Sequence, residues 1–396
     1  MAISCPTVDE DYRGELDFLH MRILFYQWHS FMNRGVEKAF QQMGIDYDVL
    51  FFQQSDWEKD TGLGKQLEEK LNKTEYTMVF SVNFAPVVSL ICELKNIRYV
   101  SWVYDAPIHI RDITSLKNRC NRIFFFDRVQ AETYKMQGIA AYHMPLAGDI
   151  DSFAGGKREK KTEVSLVGKL YQTEYAYYST PLTTYQRGYL EGIINAQMKI
   201  YGGYFLGELL NENLLADLNE SYRNASGGKA SITREELEYM LACEITGRER
   251  YLALAVLSNH FDVSLYSTDK DERLKSVRCM GYADYYNDMP EVFKSSKINL
   301  NISLKIIQSG IPLRVFDILS CGGFLLTNFQ PEMPELFDMG EDFVVYESIE
   351  DLYAKADFYL RHDTEREKIA QHGYDTIRKY YTFRQQLEKI LKEALA

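Results

Sequence analysis

Two α/β domains, each built on a parallel sheet covered on both faces, are what this 396-residue sequence predicts. Three observations carry that reading. The chain is too long for one ordinary hydrophobic core. From Met21 onward, short β-rich apolar runs alternate with helical stretches. A small, charged segment without apolar periodicity, residues 155–161 (GGKREKK), then separates two such alternations.

The first alternation opens with MRILFYQW (21–28) and a helix over 33–43. Strands follow at DVLFF (48–52), YTMVFSV (76–82), RYVSWVYD (98–105) and RIFFFD (122–127). Runs apolar on both faces suit a parallel sheet with helices on each side. A helix at 129–137 and a strand near AYHMPLAGD (141–149) close this half, giving a leader at 1–20 and a domain at 21–154. Past the linker, TEVSLVGKL (162–170) begins a domain extending to 375, interrupted by a mostly helical region at 183–260. Strands resume at 262–267, 277–282, 298–303, 323–328 and 342–347, with helices at 288–296 and from Pro312. Three helices end the chain, the last two divided by Thr382 as an N-cap, and the final segment 376–396 is a candidate to cross back to the first domain.

Composition narrows the function. A net charge of −12 argues against nonspecific binding to nucleic acid or anionic membrane. No run approaches the roughly 20 apolar residues of a membrane span, and residues 1–20 lack a signal-peptide pattern. The six cysteines show no CxxC spacing, so a reducing, cytoplasmic compartment is expected. With 29 Tyr and 22 Phe the chain has ample surface for sugar stacking, although packing accounts for most such residues.

The chemistry is expected in residues 300–328, LNISLKIIQSGIPLRVFDILSCGGFLLTN, which read as strand, loop, helix and strand. Ser309, Gly310 and Ile311 precede Pro312, a favoured first-turn residue, so backbone N–H groups converge where an anion is welcome. Arg314 adds a guanidinium suited to phosphate, and Asp317 an acceptor for ribose hydroxyls. The competing reading is a chain turn with Arg314 paired to Asp317 at i,i+3. In VSLVGKL, a strand runs into Gly168 and Lys169, a second place for a pyrophosphate. The loop GYADY (281–285), with Gly281 and Tyr282, is the expected seat of the nucleotide base. Asp105 and His29, each at the carboxyl end of a first-domain strand, are the candidate general bases; His143 is a further cleft-lining candidate. Two DxD patterns, Asp46 to Asp48 and Asp149 to Asp151, lie outside the donor half or beside the linker, so no metal is expected.

Residues 300–328, together with PELFDMGEDFVVYESIEDL (334–352) and SWVYDAP (101–107), resemble the bacterial spore-maturation CgeB-like glycosyltransferases. In these a domain of unknown function precedes a glycosyltransferase-group-1-like domain. The resemblance implies a GT-B fold, two Rossmann-like domains facing across a cleft, and transfer of a sugar from a nucleotide sugar, by analogy a UDP-sugar, without a further cofactor. The glycan, polymer or protein acceptor stays open. In the wider family a Glu-x7-Glu pattern marks the donor helix; aligning its end on Ser320, Cys321 and Gly322 puts Asp317 at the second, ribose-binding position and Ser309 at the first. That departure leaves the stereochemistry and the sugar open, and keeps a noncatalytic sugar-nucleotide sensor and a GT-B epimerase as rival readings. Residues 183–260 are a surface for acceptor choice or homo-oligomer formation.

Overall fold

The computed structural model describes residues 20–396 except 109, 154 and 157, so the expected leader lies outside the described residues apart from His20. The first six strands are β1 (Arg22–Gln27), β2 (Asp46–Phe51), β3 (Met78–Val82), β4 (Arg98–Val103), β5 (Asn121–Phe125) and β6 (Ala141–His143). They form one parallel sheet in the order β2-β1-β3-β4-β5-β6. Helices α1 (Asn33–Gln42), α2 (Thr61–Lys73), α3 (Pro86–Lys95) and α4 (Arg128–Met136) connect them. All five residues of β3 are buried, as a central strand covered on both faces requires.

The second sheet contains β7 (Thr162–Val167), β8 (Val263–Tyr266), β9 (Arg278–Cys279), β10 (Ser296–Asn301), β11 (Leu325–Asn328) and β12 (Val344–Tyr346). Its order, β12-β11-β10-β7-β8-β9, is the doubly wound arrangement of dinucleotide-binding domains, and the order reverses between β7 and β10. The insertion between β7 and β8 holds α5 (Tyr175–Tyr178), α6 (Thr184–Gln197), α7 (Leu206–Leu209), α8 (Glu212–Ser226) and α9 (Arg234–Ser258). These helices enclose a core of their own around Leu190, Leu218, Leu237 and Leu241. The remaining helices are α10 (Met289–Ser295), α11 (Leu313–Ser320), α12 (Met333–Leu336), α13 (Ile349–Arg361), α14 (Asp363–Tyr380) and α15 (Phe383–Leu395). No helix of the described residues is long and apolar enough to cross a membrane.

Packing of α15 and a shared apolar cluster help tie the halves together. Helix α15 begins at a capping box formed by Thr382 and Gln385 and packs on α1 of the first domain. The approach is close: a Cβ on Gly35 would sit 2.5 Å from the Phe383 ring, whose edge meets Trp102 at 5.8 Å. A single apolar cluster also runs from Phe25 and Trp102 through Leu146 and Phe153 to Phe293, Ile311 and Phe316. Residues 158–161, the end of the expected linker, lie docked along α10. Lys161 N donates to Ser295 O at 2.8 Å, Lys160 Nζ to Lys294 O at 2.8 Å and Ser296 O at 2.9 Å, and Arg158 pairs with Glu291. The charges that look like a solvated spacer in one dimension neutralise the carbonyl end of that helix instead.

Candidate donor and acceptor site

In an open α/β sheet the ligand crevice lies beyond the carboxyl ends of the strands where the strand order reverses. Here that point is the end of β7, where the chain passes through Gly168 (φ +147°) to an exposed Lys169, and the end of β10 at Ile302. Arg250 of α9 stands behind it. Its guanidinium donates to the carbonyls of Lys169 and Ile302 and lies 4.8 Å from the Tyr171 ring centre, while its Nε has no partner among the described residues. Burial chiefly, with the Arg314 charge adding to it, holds Arg250 below the usual guanidinium range, so the two guanidiniums lie within electrostatic reach of each other. Lys169, Arg250 and Arg314 thus concentrate positive charge at the switch point of a chain whose net charge is −12.

Arg314 sits on the first turn of α11, with Nη1 3.4 Å from Asp317 Oδ2 and its guanidinium 5.6 Å from the Phe293 ring centre. Asp317 is 1% exposed and accepts a 2.6 Å hydrogen bond from the Tyr285 hydroxyl, so in this conformation it presents no open acceptor to a ribose. Burial raises its pKa to about 6, against the lowering pull of Arg314 and Tyr285, and the Asp149 charge adds to the rise. Between about pH 4 and 6 the folded state therefore binds more protons than the unfolded chain, so this group's contribution to stability falls as pH rises through that window. Asp317→Asn is expected to flatten that slope, by an amount on the order of 2 kcal/mol across the window. Urea titrations at several pH values would show it; an unchanged slope would mean Asp317 ionises freely.

The start of α11 is where the sequence expectation fails. Pro312 is the N-cap rather than the first helical residue, and the amides of Gln308, Ser309 and Gly310 are already taken. Gln308 N, Ser309 N and Gly310 N donate to Asp127 Oδ2 at 2.7, 3.1 and 3.3 Å, and Ser309 Oγ, whose one hydrogen goes to Glu332 Oε1 at 2.7 Å, lies 3.1 Å from Asp127 Oδ1. The loop does hold an anion, but that anion is a carboxylate from the end of β5. Gly310 serves this contact, because a Cβ there would lie 2.8 Å from both Asp127 Cα and Phe126 O. Ile311 is 2% exposed, in the shared apolar cluster. Ser309, Gly310 and Ile311 are therefore interdomain packing residues in this conformation, not an open phosphate cradle.

Further contacts extend the same seam. Glu332 accepts from Arg128 N at 2.9 Å, from Ser309 Oγ at 2.7 Å and bonds His143 Nε2 at 2.7 Å, which places His143 in the seam rather than on an acceptor surface. Burial raises the Glu332 carboxyl, but the His143 and backbone contacts outweigh it and hold the group below its usual range. Arg128 also makes a paired contact with Glu335 at 2.9 and 2.6 Å. None of these partners was visible in sequence, where Asp127 is simply the end of RIFFFD and an N-cap for α4.

On the facing domain, Asp105 follows β4 and accepts from Asn83 Nδ2 at 2.6 Å. Asn83 sits at the end of β3 with φ +59° and also takes Tyr104 N on its Oδ1 at 2.9 Å, so it orients the Asp105 turn. Burial chiefly, then Cys243 and more weakly Tyr171 and Asp105, push Tyr239 of α9 upward, which puts Asp105 within electrostatic reach of the second domain. His29 ends β1 but turns toward the β2 edge, its ring 5.1 Å from Phe51. In the GYADY loop, Gly281 (φ +82°) stands in open space and Tyr282 is 67% exposed, whereas Tyr285 and Tyr286 turn inward. Phe31 stacks on Tyr285 at 4.7 Å, and Tyr286 Oη donates to Phe31 O at 2.5 Å.

The DxD patterns have structural partners: Asp48 takes Arg22 at 2.9 Å and Tyr76 at 2.8 Å, and Asp149 accepts from Ser152 N at 2.9 Å. Among the described residues no group of three His, Cys, Asp or Glu side chains is placed to hold a metal ion.

Residues 248–392 match the family model described as glycosyl transferase-like, a span that includes Arg250, Arg314 and Asp317. A comparison with curated proteins finds no match. Among solved structures, a glycosyltransferase from Rickettsia africae is similar at TM-score 0.55 and 11% identity, covering 94% of this chain and 97% of that one. Anabaena HepE in complex with UDP and glucose gives 0.53 and 12%, covering 94% and 100%. Sucrose-phosphate synthase from Thermosynechococcus elongatus gives 0.52 and 9%, covering 95% and 99%. At such identities the likeness speaks for the fold. The chain has the GT-B fold, two parallel six-stranded α/β domains, with a glycosyltransferase-like segment in its C-terminal half.

Proposed function

We propose that this protein moves a sugar from a nucleoside-diphosphate sugar, in first preference a UDP-sugar, to an acceptor hydroxyl on a glycan, surface polymer or protein. The observation that carries the reading is the convergence of Lys169, Arg250 and Arg314 at the β7/β10 switch point, two of the three inside the glycosyltransferase-like segment. As the glycosidic bond breaks, negative charge grows on the leaving diphosphate, and fixed cations in a crevice favour that charge more than the ground state. Lys169 and Arg314 supply the contacts and Gly168 permits close backbone approach, so no metal is invoked. Asp105, held by Asn83, takes the acceptor proton. UDP is preferred because HepE, of the same fold, is described with UDP and glucose. A cytoplasmic setting accords with the cysteines of the described residues, all of them free thiols. Closure of the cleft would keep water from the donor.

UDP-glucose and a panel of other sugar nucleotides should raise the melting temperature, since a ligand that binds only the folded state stabilises it. Arg314→Ala should weaken donor binding and turnover together by roughly 30- to 100-fold, the worth of one charge-assisted phosphate contact. Wild-type turnover in that variant, or no sugar nucleotide bound by the native protein, would refute the reading. One observation favours a second, noncatalytic reading as a sugar-nucleotide sensor: Ser309 stands where related enzymes carry Glu, and it is engaged with Asp127 and Glu332. Binding without hydrolysis or transfer would support it.

A further inference from the structure

A second concentration of positive charge lies at the other end of the C-terminal sheet. The amino ends of β7, β10 and β11 meet the docked segment 158–161, the last turns of α10 and α11 and the first half of α14 around a cavity of about 280 Å³. Five cations line it, Arg158, Lys160, Lys294, Lys297 and Arg366, against one lining carboxylate, Glu367. Part of this charge is structural. Lys160 is bonded to the Lys294 and Ser296 carbonyls, Arg158 is paired with Glu291, and Arg366 with Asp363. Counting Glu291, Asp363 and Glu367 against the five cations still leaves two positive charges in excess.

Lys294 is the telling residue. It is 6% exposed, yet its ammonium makes no hydrogen bond or ion pair at contact distance among the described residues. Nζ faces the cavity wall, 2.9 Å from where a Cβ on Gly155 would stand, so two glycines at 155 and 156 leave room before it. A buried ammonium without a partner is costly, and such groups are ordinarily matched by an anion. Phe153 and Phe324 give the same cavity an apolar wall, and its volume exceeds what a bare phosphate fills.

We propose that this cavity is a second ligand site, separate from the interdomain cleft, that binds a phosphate group, with Lys294 and Lys297 as its principal ligands. The phosphate is either free or carried on a small organic molecule whose body lies on the Phe153 and Phe324 side. The site does not depend on the transferase reading, because none of its ligands lies at the β7/β10 switch point. A phosphate bound there would bridge residues 158–161 to α10 and α14.

The test titrates inorganic phosphate, and separately glucose 6-phosphate, into the native protein, Lys294→Met, Lys297→Ala and Arg314→Ala, at ionic strength held constant with sodium chloride. Melting temperature and calorimetric heat are the readouts. The native protein and Arg314→Ala should both gain on the order of 3 °C near saturation, with a binding heat, and Lys294→Met and Lys297→Ala should lose both responses. A gain with inorganic phosphate assigns the free anion; one with glucose 6-phosphate only assigns the organic phosphate. No response to either compound in the tens of millimolar, or a response kept in Lys297→Ala and lost in Arg314→Ala, would overturn the proposal. If Lys294→Met fails to fold, Lys297→Ala decides alone.

Discussion

Asp127→Ala is expected to lower stability by roughly 3–4 kcal/mol, the largest effect of any single polar truncation in the seam between the domains. The side chain accepts from the amides of residues 308, 309 and 310, and its Oδ1 also takes Gln130 N at 3.1 Å as the N-cap of α4. Loss of a helix cap costs about 1 kcal/mol, and each buried donor left without a partner about 1 kcal/mol or more. Asp127 itself is 1% exposed, so water does not easily replace the missing oxygens. The variant should unfold in two resolved steps, because the deletion weakens the joint more than either sheet. Asp127→Asn, which keeps one acceptor oxygen, should fall between. Urea unfolding followed by tryptophan fluorescence would test this, and a midpoint unchanged in Asp127→Ala would mean the contact contributes nothing to holding the domains.

Asp105→Asn is expected to reduce turnover by about 10²- to 10⁴-fold while leaving donor affinity unchanged. The amide keeps the size of the carboxylate and can still meet Asn83, so the β4 turn should survive, but it cannot take a proton. His29→Ala should have a much smaller effect, because that ring faces Phe51 at the β2 edge. Steady-state kinetics with a hydrolysed or transferred sugar as readout would separate them. A histidine variant that lost more activity than the Asp105 variant would move the proton-accepting role to His29.

The two variants probe different kinds of information. The alternation of β-rich and helical segments, the buried character of β3 and β10 and the Thr382 cap depend on residues within a few positions of one another, and such patterns survive in a linear chain. The welcome for an anion before α11 is of the same kind, since the free amides follow from the loop and helix start alone. The source of that anion is not. Asp127 lies some 180 residues from Ser309 in the chain and nothing around it marks it as a partner. Likewise, Tyr285 rather than Tyr282 reaches the α11 face, because a short loop turns Tyr285 inward and leaves Tyr282 in solvent.

What the sequence alone determined, then, is the pair of parallel α/β layers and their order of elements, because periodicity and capping are local. Only the tertiary structure decided which anion fills the α11 entry, that α15 closes onto α1, and that residues 158–161 are docked along α10. Those outcomes depend on which surfaces meet across long chain separations, where burial rewards any complementary partner and no short-range pattern names it.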